Sequence, residues 1–137
     1  VPVATNDDLR WADGLAFGTP TRFGNVSAQL KQFLDSTGPL WMAGELPNRT
    51  ATAFTSTGTL HGGAEATILS LYQTMFHWGS IVVAPGYTQP DTPGGGQAPY
   101  GVAHTAGNGL PDEAVLAAAR HQGLRLGIYT ERLVASD

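Results

Sequence analysis

The chain has 137 residues, the length of one domain, and at 42% hydrophobic and 13% charged it is neither a disordered nor a polyionic sequence. Eleven acids against seven bases, a net charge of -4, argue against a nucleic-acid binder, which needs a basic face. With no cysteine, disulfides, thiolate metal sites and cysteine nucleophiles are excluded, and no apolar run approaches the ~18 residues of a membrane span.

Residues 1–13, with Asp7, Asp8 and Asp13, read as an exposed lead-in. Gly14-Leu15-Ala16-Phe17 is a short apolar run closed by Gly18-Thr19-Pro20, a buried strand feeding a loop. A helix is predicted from Asn25 or Val26 to about Ser36, with Asn25 as N-cap and Val26, Leu30, Phe33 and Leu34 on one face. Thr37-Gly38-Pro39 stops it and leaves Trp41 in a loop, as core plug or stacking platform. Thr50 to Thr55 reads as a second strand. It runs into the small polar loop Ser56–Gly63 and a helix from Ala64 to His77, striped by Ile68, Leu71, Tyr72, Met75 and Phe76.

Ser80-Ile81-Val82-Val83-Ala84 is a third strand. Residues 85–101 follow, nine of seventeen Gly or Pro, with Tyr87 and Tyr100 as the large apolar groups. The last helix begins near Pro111 and runs to about Leu133. Its expected stripe is Val115, Ala119, Leu126 and Leu133, and Ala119, Gly123 and Gly127 suit a close helix contact. Strands alternating with helices imply a parallel sheet covered on both faces, with ligands at the carboxyl ends of the strands. Both polar loops leave such ends.

Gly18-Thr19-Pro20-Thr21-Arg22-Phe23-Gly24-Asn25 lacks the Lys-Ser/Thr of a phosphate-binding loop. It still puts backbone N–H groups, one aromatic face and one cation at a helix N-terminus. That suits the polar edge of a planar heterocycle, or makes an ordinary turn. Ser56, Thr57, Gly58, Thr59, Gly62 and Gly63 line a cofactor or cap the next helix. There is no G-x-S-x-G for a hydrolase, and His61, His77, His104 and His121 form no zinc spacing. His121 reads as structural, while His61 and His77 flank a helix within reach of a ligand.

Taken together, Gly18–Asn25, Phe33-Leu34-Asp35, Leu40-Trp41, Thr55–Thr59, Gly62-Gly63 and Pro99-Tyr100-Gly101 resemble the flavodoxin-like NAD(P)H:quinone oxidoreductases of the WrbA type, in order along nearly the whole chain. The resemblance implies an α/β fold, a doubly wound parallel sheet in three α/β/α layers. It implies FMN as cofactor, NADH or NADPH as co-substrate, two-electron quinone reduction, a homotetramer and a cytoplasmic location.

Carried over by motif, Thr21, Arg22 and Phe23 contact the flavin ring, and Ser56, Thr57, Gly58 and Thr59 line it, extended by His61 and Gly62. Trp41 and Tyr100 belong to the substrate pocket. Where the family carries a flavin-contacting His, this chain reads His77-Trp78-Gly79, so Trp78 takes that place with His77 before it. The family's opening strand, phosphate-binding loop, helix and second strand have no counterpart in residues 1–137. The chain therefore reads as a single flavodoxin-like domain without its first strands, its three visible strands being the third, fourth and fifth. The competing readings are a non-enzymatic flavodoxin-like interaction module and an electron-transfer flavodoxin. The second is usually more acidic than -4.

Overall fold

The computed structural model describes residues 2–89 and 98–136. In chain order the elements are α1 (Asn6–Trp11), β1 (Gly14–Pro20), α2 (Ala28–Asp35), α3 (Gly38–Met42), β2 (Thr50–Thr57), α4 (Ala64–Trp78), β3 (Ile81–Val82), β4 (Ala103–Thr105), a 3₁₀ turn (Ala106–Asn108) and α5 (Glu113–Val134).

β2 is the axis of an all-parallel sheet. β1 pairs along it from Gly14↔Thr50 to Pro20↔Ser56. Its other edge is shared by β3, at Thr50 and Ala51, and β4, at Thr55 to Thr57. One strand position is thus filled by two short pieces, with residues 83–102 between them. The expected strand at 80–84 shrinks to Ile81–Val82, and β4 was not expected at all. Val83 still donates to the Ala51 carbonyl, 2.8 Å. Pro85, which has no N–H, then ends the run.

The strands alternate between two helical layers. Odd positions Leu15, Phe17, Ala51 and Ala53 join Leu34, Leu40, Ile68, Leu71, Met75 and Trp78 in one buried cluster, so α2, α3 and α4 cover that face. Even positions Thr50 and Thr52 meet Thr130 and Gln122 of α5 on the other. This is the three-layer α/β/α arrangement.

Three local expectations change. The lead-in contains α1, opened by a capping box in which the Asp8 carboxylate accepts from Thr5 N–H at 2.7 Å, and Leu9 is buried. α2 starts at Ala28 behind an extended Ser27, because Asn25 is used in the preceding turn. α5 docks through Ala118 and Gln122 rather than Ala119. Gln122 is 3% exposed, accepts from Val102 N–H at 2.8 Å and donates to Thr52 Oγ1 and the Ala53 carbonyl at 2.8 and 2.9 Å. The polar anchor sets the rotation of the helix, so Gly123 and Gly127 face open space instead of a packed neighbour.

Candidate active site

Two loops meet where β1 and β2 end. Thr21 N–H donates to the Ser56 carbonyl at 2.7 Å, joining them. Beneath, buried Thr55 donates its hydroxyl to the Thr19 carbonyl at 2.7 Å. That spends its one proton, so the 2.9 Å contact with Thr21 Oγ1 is donated by Thr21. Ser27 N–H donates to Thr19 Oγ1 at 3.1 Å and fixes the exit toward α2.

Between them Arg22 and Asn25 exchange backbone hydrogen bonds of 2.8 and 2.9 Å. This closes a two-residue turn with Phe23 at φ 51° and Gly24 at φ 75°. Two successive positive φ values define a type I′ turn, normal for Gly or Asn and costly for Phe. The Phe23 ring is fully exposed. Arg22 is exposed and forms no ion pair among the described residues. A strained backbone holding an apolar ring in water beside an uncompensated cation marks a functional surface.

The second loop presses on the first through glycine. A β-carbon on Gly63 would lie 2.7 Å from Gly24 Cα, so the two main chains touch. Thr57 Oγ1 donates to the Thr59 carbonyl at 2.7 Å and Gly62 N–H to the same carbonyl at 3.1 Å, shaping a tight loop. Gly58 has open space where a side chain would stand. The backbone N–H groups of Phe23, Gly24, Gly58, Thr59 and Leu60 have no partner among the described residues. On its far flank the loop borders a cavity of about 690 Å³ lined by His61, Glu65, His104 and Asp112.

The structure therefore gathers Thr21, Arg22, Phe23, Ser56, Thr57, Gly58, Thr59, His61 and Gly62 along one edge. It does not bring the others there. Trp78 is 4% exposed, its ring edge-on to Phe17 at 5.9 Å, so it packs in the core. Trp41 lies in α3, not in a loop, and its indole N–H donates to the His77 carbonyl at 2.9 Å. His77 is near the last turn of α4, about 20 Å along the helix axis from the glycine loop at 1.5 Å per residue. A groove of about 370 Å³ between α2 and α4 is lined by Asn25 at one end of that stretch and His77 at the other.

Tyr100 stands across β2 from the Arg22 turn, and its carbonyl accepts from the Tyr72 hydroxyl. Burial raises the Tyr72 pKa, so this donor keeps its proton. Of the Gly- and Pro-rich segment 85–101, residues 90–97 lie outside the described residues. The Gly24–Gly63 contact was not expected from the sequence, and the paired glycines were its only signal. Thr88 gives its hydroxyl proton to the Pro85 carbonyl at 2.7 Å, so at 2.9 Å it accepts from His121 Nε2–H, a contact that ties α5 to the segment after β3.

The edge fits a flavin ring system. It offers an aromatic face at Phe23, a cation at Arg22 and unpaired N–H groups for ring oxygens and nitrogens, without side chains in the way at Gly24 and Gly58. Among the described residues no cluster of three or more His, Asp or Glu could hold a metal ion, and no helix is long and apolar enough to cross a membrane.

An NAD(P)H dehydrogenase (quinone) of Trichlorobacter lovleyi is 45% identical, the match covering 98% of this chain and 70% of that one. Another, of Deinococcus radiodurans, is 43% identical over 98% of this chain and 67% of its own. Among solved structures, a WrbA-like flavodoxin of Agrobacterium tumefaciens superposes with a TM-score of 0.74 at 21% identity, covering 92% of this chain and 71% of that one. General stress protein 14 of Treponema denticola, in complex with FMN, gives 0.53 at 17% identity over 93% and 70%. The chain spans about 70% of the relative from Trichlorobacter lovleyi. Residues 4–90 match the profile of the NADPH-dependent FMN reductases, and with these relatives the chain belongs to that flavodoxin-like family.

Proposed function

We propose that the chain is an FMN-dependent NAD(P)H:quinone oxidoreductase of the WrbA type, acting in the cytoplasm. One observation carries this reading: a fully exposed Phe23 on a left-handed backbone, held against a glycine loop with unpaired N–H groups. The curated relatives' names, NAD(P)H dehydrogenase (quinone), favour it over an interaction module or an electron carrier.

FMN, when bound, supplies the two-electron chemistry that takes hydride from NAD(P)H and gives it to a quinone. This chain's part is placement and electrostatics. Phe23 gives the ring system a face to stack on. The N–H groups of Phe23, Gly24, Gly58 and Thr59, with the Arg22 guanidinium, stabilise negative charge at the polar edge. Thr21 and Ser56 keep the two loops in register through their 2.7 Å bond.

Trp41 and His77 form a separate corner, and we assign them to the substrate side of a site completed by a second copy in a homo-oligomer, the tetramer being the family expectation. Phe76 and Tyr87, 63% and 64% exposed, are the apolar groups for such contacts. The edge of β1 away from β2 has no ladder partner among the described residues. We place the family's phosphate-binding strand and loop there.

The test is turnover. Protein supplied with FMN, NADH or NADPH, and a soluble benzoquinone is expected to consume the reduced nicotinamide and to stain yellow. A colourless protein with no turnover above free FMN overturns the reading.

A further inference from the structure

The glycine loop is held from both sides. On the inner side Gly63 abuts Gly24. On the outer side the 3₁₀ turn after β4 reaches it: a β-carbon at Gly107 would lie 2.5 Å from the Gly58 carbonyl oxygen and 3.7 Å from its carbon. Real β-carbons do not approach that closely, and the obstacle is backbone, so one of the two main chains has to move.

Neither has slack. The 3₁₀ turn follows directly on the β4 ladder, Thr55 to Thr57 against Ala103 to Thr105. It is closed by Gly109 N–H to the Ala106 carbonyl at 3.1 Å, and His104 Nε2 lies 2.8 Å from the Gly109 carbonyl. Inside the loop, a β-carbon at Gly62 would already be 3.0 Å from Thr57 Cβ and from the Thr59 carbonyl oxygen. A displaced Gly58 therefore pushes Thr59, Gly62 and Gly63. Gly63 in turn pushes Gly24, the neighbour of Phe23.

We propose that Gly107 is a positioning residue for the flavin edge. It acts through the Gly58 peptide, with His104 as the staple that keeps its turn in place. This rests on the flavin reading above. The β4–α5 connection is then part of the cofactor site although none of its side chains touches the cofactor. A side chain at 107 is expected to shift the N–H groups of the loop out of register with Phe23, without opening the core.

The test uses the whole chain and titrates FMN by quenching of its fluorescence. The flavin absorption bands are recorded at saturation, and the melting temperature without FMN is measured in parallel. Gly107→Ala is expected to weaken FMN about tenfold, 1.4 kcal/mol. It should also shift the flavin bands while the unliganded protein melts within a few degrees of wild type. His104→Ala, which adds no atom, should shift both readouts in the same direction and less. Gly127→Ala, on the open face of α5, should leave the affinity unchanged. Wild-type affinity and spectrum in Gly107→Ala overturn the proposal alone. Should Gly107→Ala unfold, His104→Ala decides, and unchanged affinity and spectrum there overturn it. Failure of the wild-type chain to bind FMN overturns the flavin reading, and this proposal with it.

Discussion

Phe23 sits on a backbone that a glycine would occupy at no cost, and its ring is fully in water. Phe23→Gly should therefore stabilise the fold by up to about 1 kcal/mol by relieving the positive φ. It should also weaken FMN roughly threefold to tenfold by removing the stacking face. Thermal melting and FMN titration of the one variant check both signs. Asp8 gives a pH signature elsewhere. Its carboxylate accepts from the Thr5 N–H and hydroxyl, and these bonds lower its pKa below 3.8. A lowered folded pKa means the cap is intact above about pH 4 and is lost as pH falls through the folded value. The acid arm of a pH-melting profile should flatten in Asp8→Asn. At this scale the sequence was legible for chemical type and not for backbone. The resemblance singled out Thr21, Arg22 and Phe23, and the structure puts them on one turn, but nothing in Thr-Arg-Phe-Gly-Asn announced a type I′ turn, because Phe disfavours one. The burial of Trp78 was not legible either, because an apolar residue before a helix-ending glycine suits core and cofactor equally.

α5 shows where pattern reading works and where it stops. The length of the helix followed from the run to Leu133, but its start did not: Pro111 was expected at the first helical position, whereas the helix begins at Glu113 with Asp112 as its N-cap, accepting from Val115 N–H at 2.9 Å. Its rotation did not follow, since apolar periodicity ignores a buried polar anchor. Gln122→Leu is expected to destabilise the chain by about 2–4 kcal/mol, because it strands the Val102 N–H and the Ala53 carbonyl in the interior. Urea unfolding measures it, and a loss below about 0.5 kcal/mol would mean that water replaces the amide. Gly123→Ala, facing open space, should add about 0.5–1 kcal/mol by helix propensity. The interrupted edge strand was half legible. Ile81-Val82 reads as strand by composition, whereas Ala103-His104-Thr105 is three residues that pair only because β2 presents Thr55 to Thr57 beside them. α1 was missed because Thr5 and Asp8 look like solvent-exposed polarity until the capping box is recognised.

At the scale of the molecule, the loops that gather at the carboxyl ends of β1 and β2 were readable from strand–helix alternation alone. The separation of Trp41 and His77 from them was not, because sequence motifs carry no information on which end of a 15-residue helix lies beside the loops. The assembly proposed above has a consequence. Light scattering at micromolar concentration should give a mass above the 14.3 kDa monomer, and Phe76→Glu should lower it. A strictly monomeric wild-type protein would remove the second copy from the site.

The Arg22–Asn25 turn and the Ser56–Gly63 loop are proposed to hold a flavin ring together. Titration with lumiflavin, the ring system without ribityl phosphate, isolates that claim. The wild-type chain is expected to quench its fluorescence saturably, with weaker binding in Phe23→Gly and in Arg22→Gln. Absence of saturable quenching by the wild type, or equal quenching by all three proteins, would contradict it.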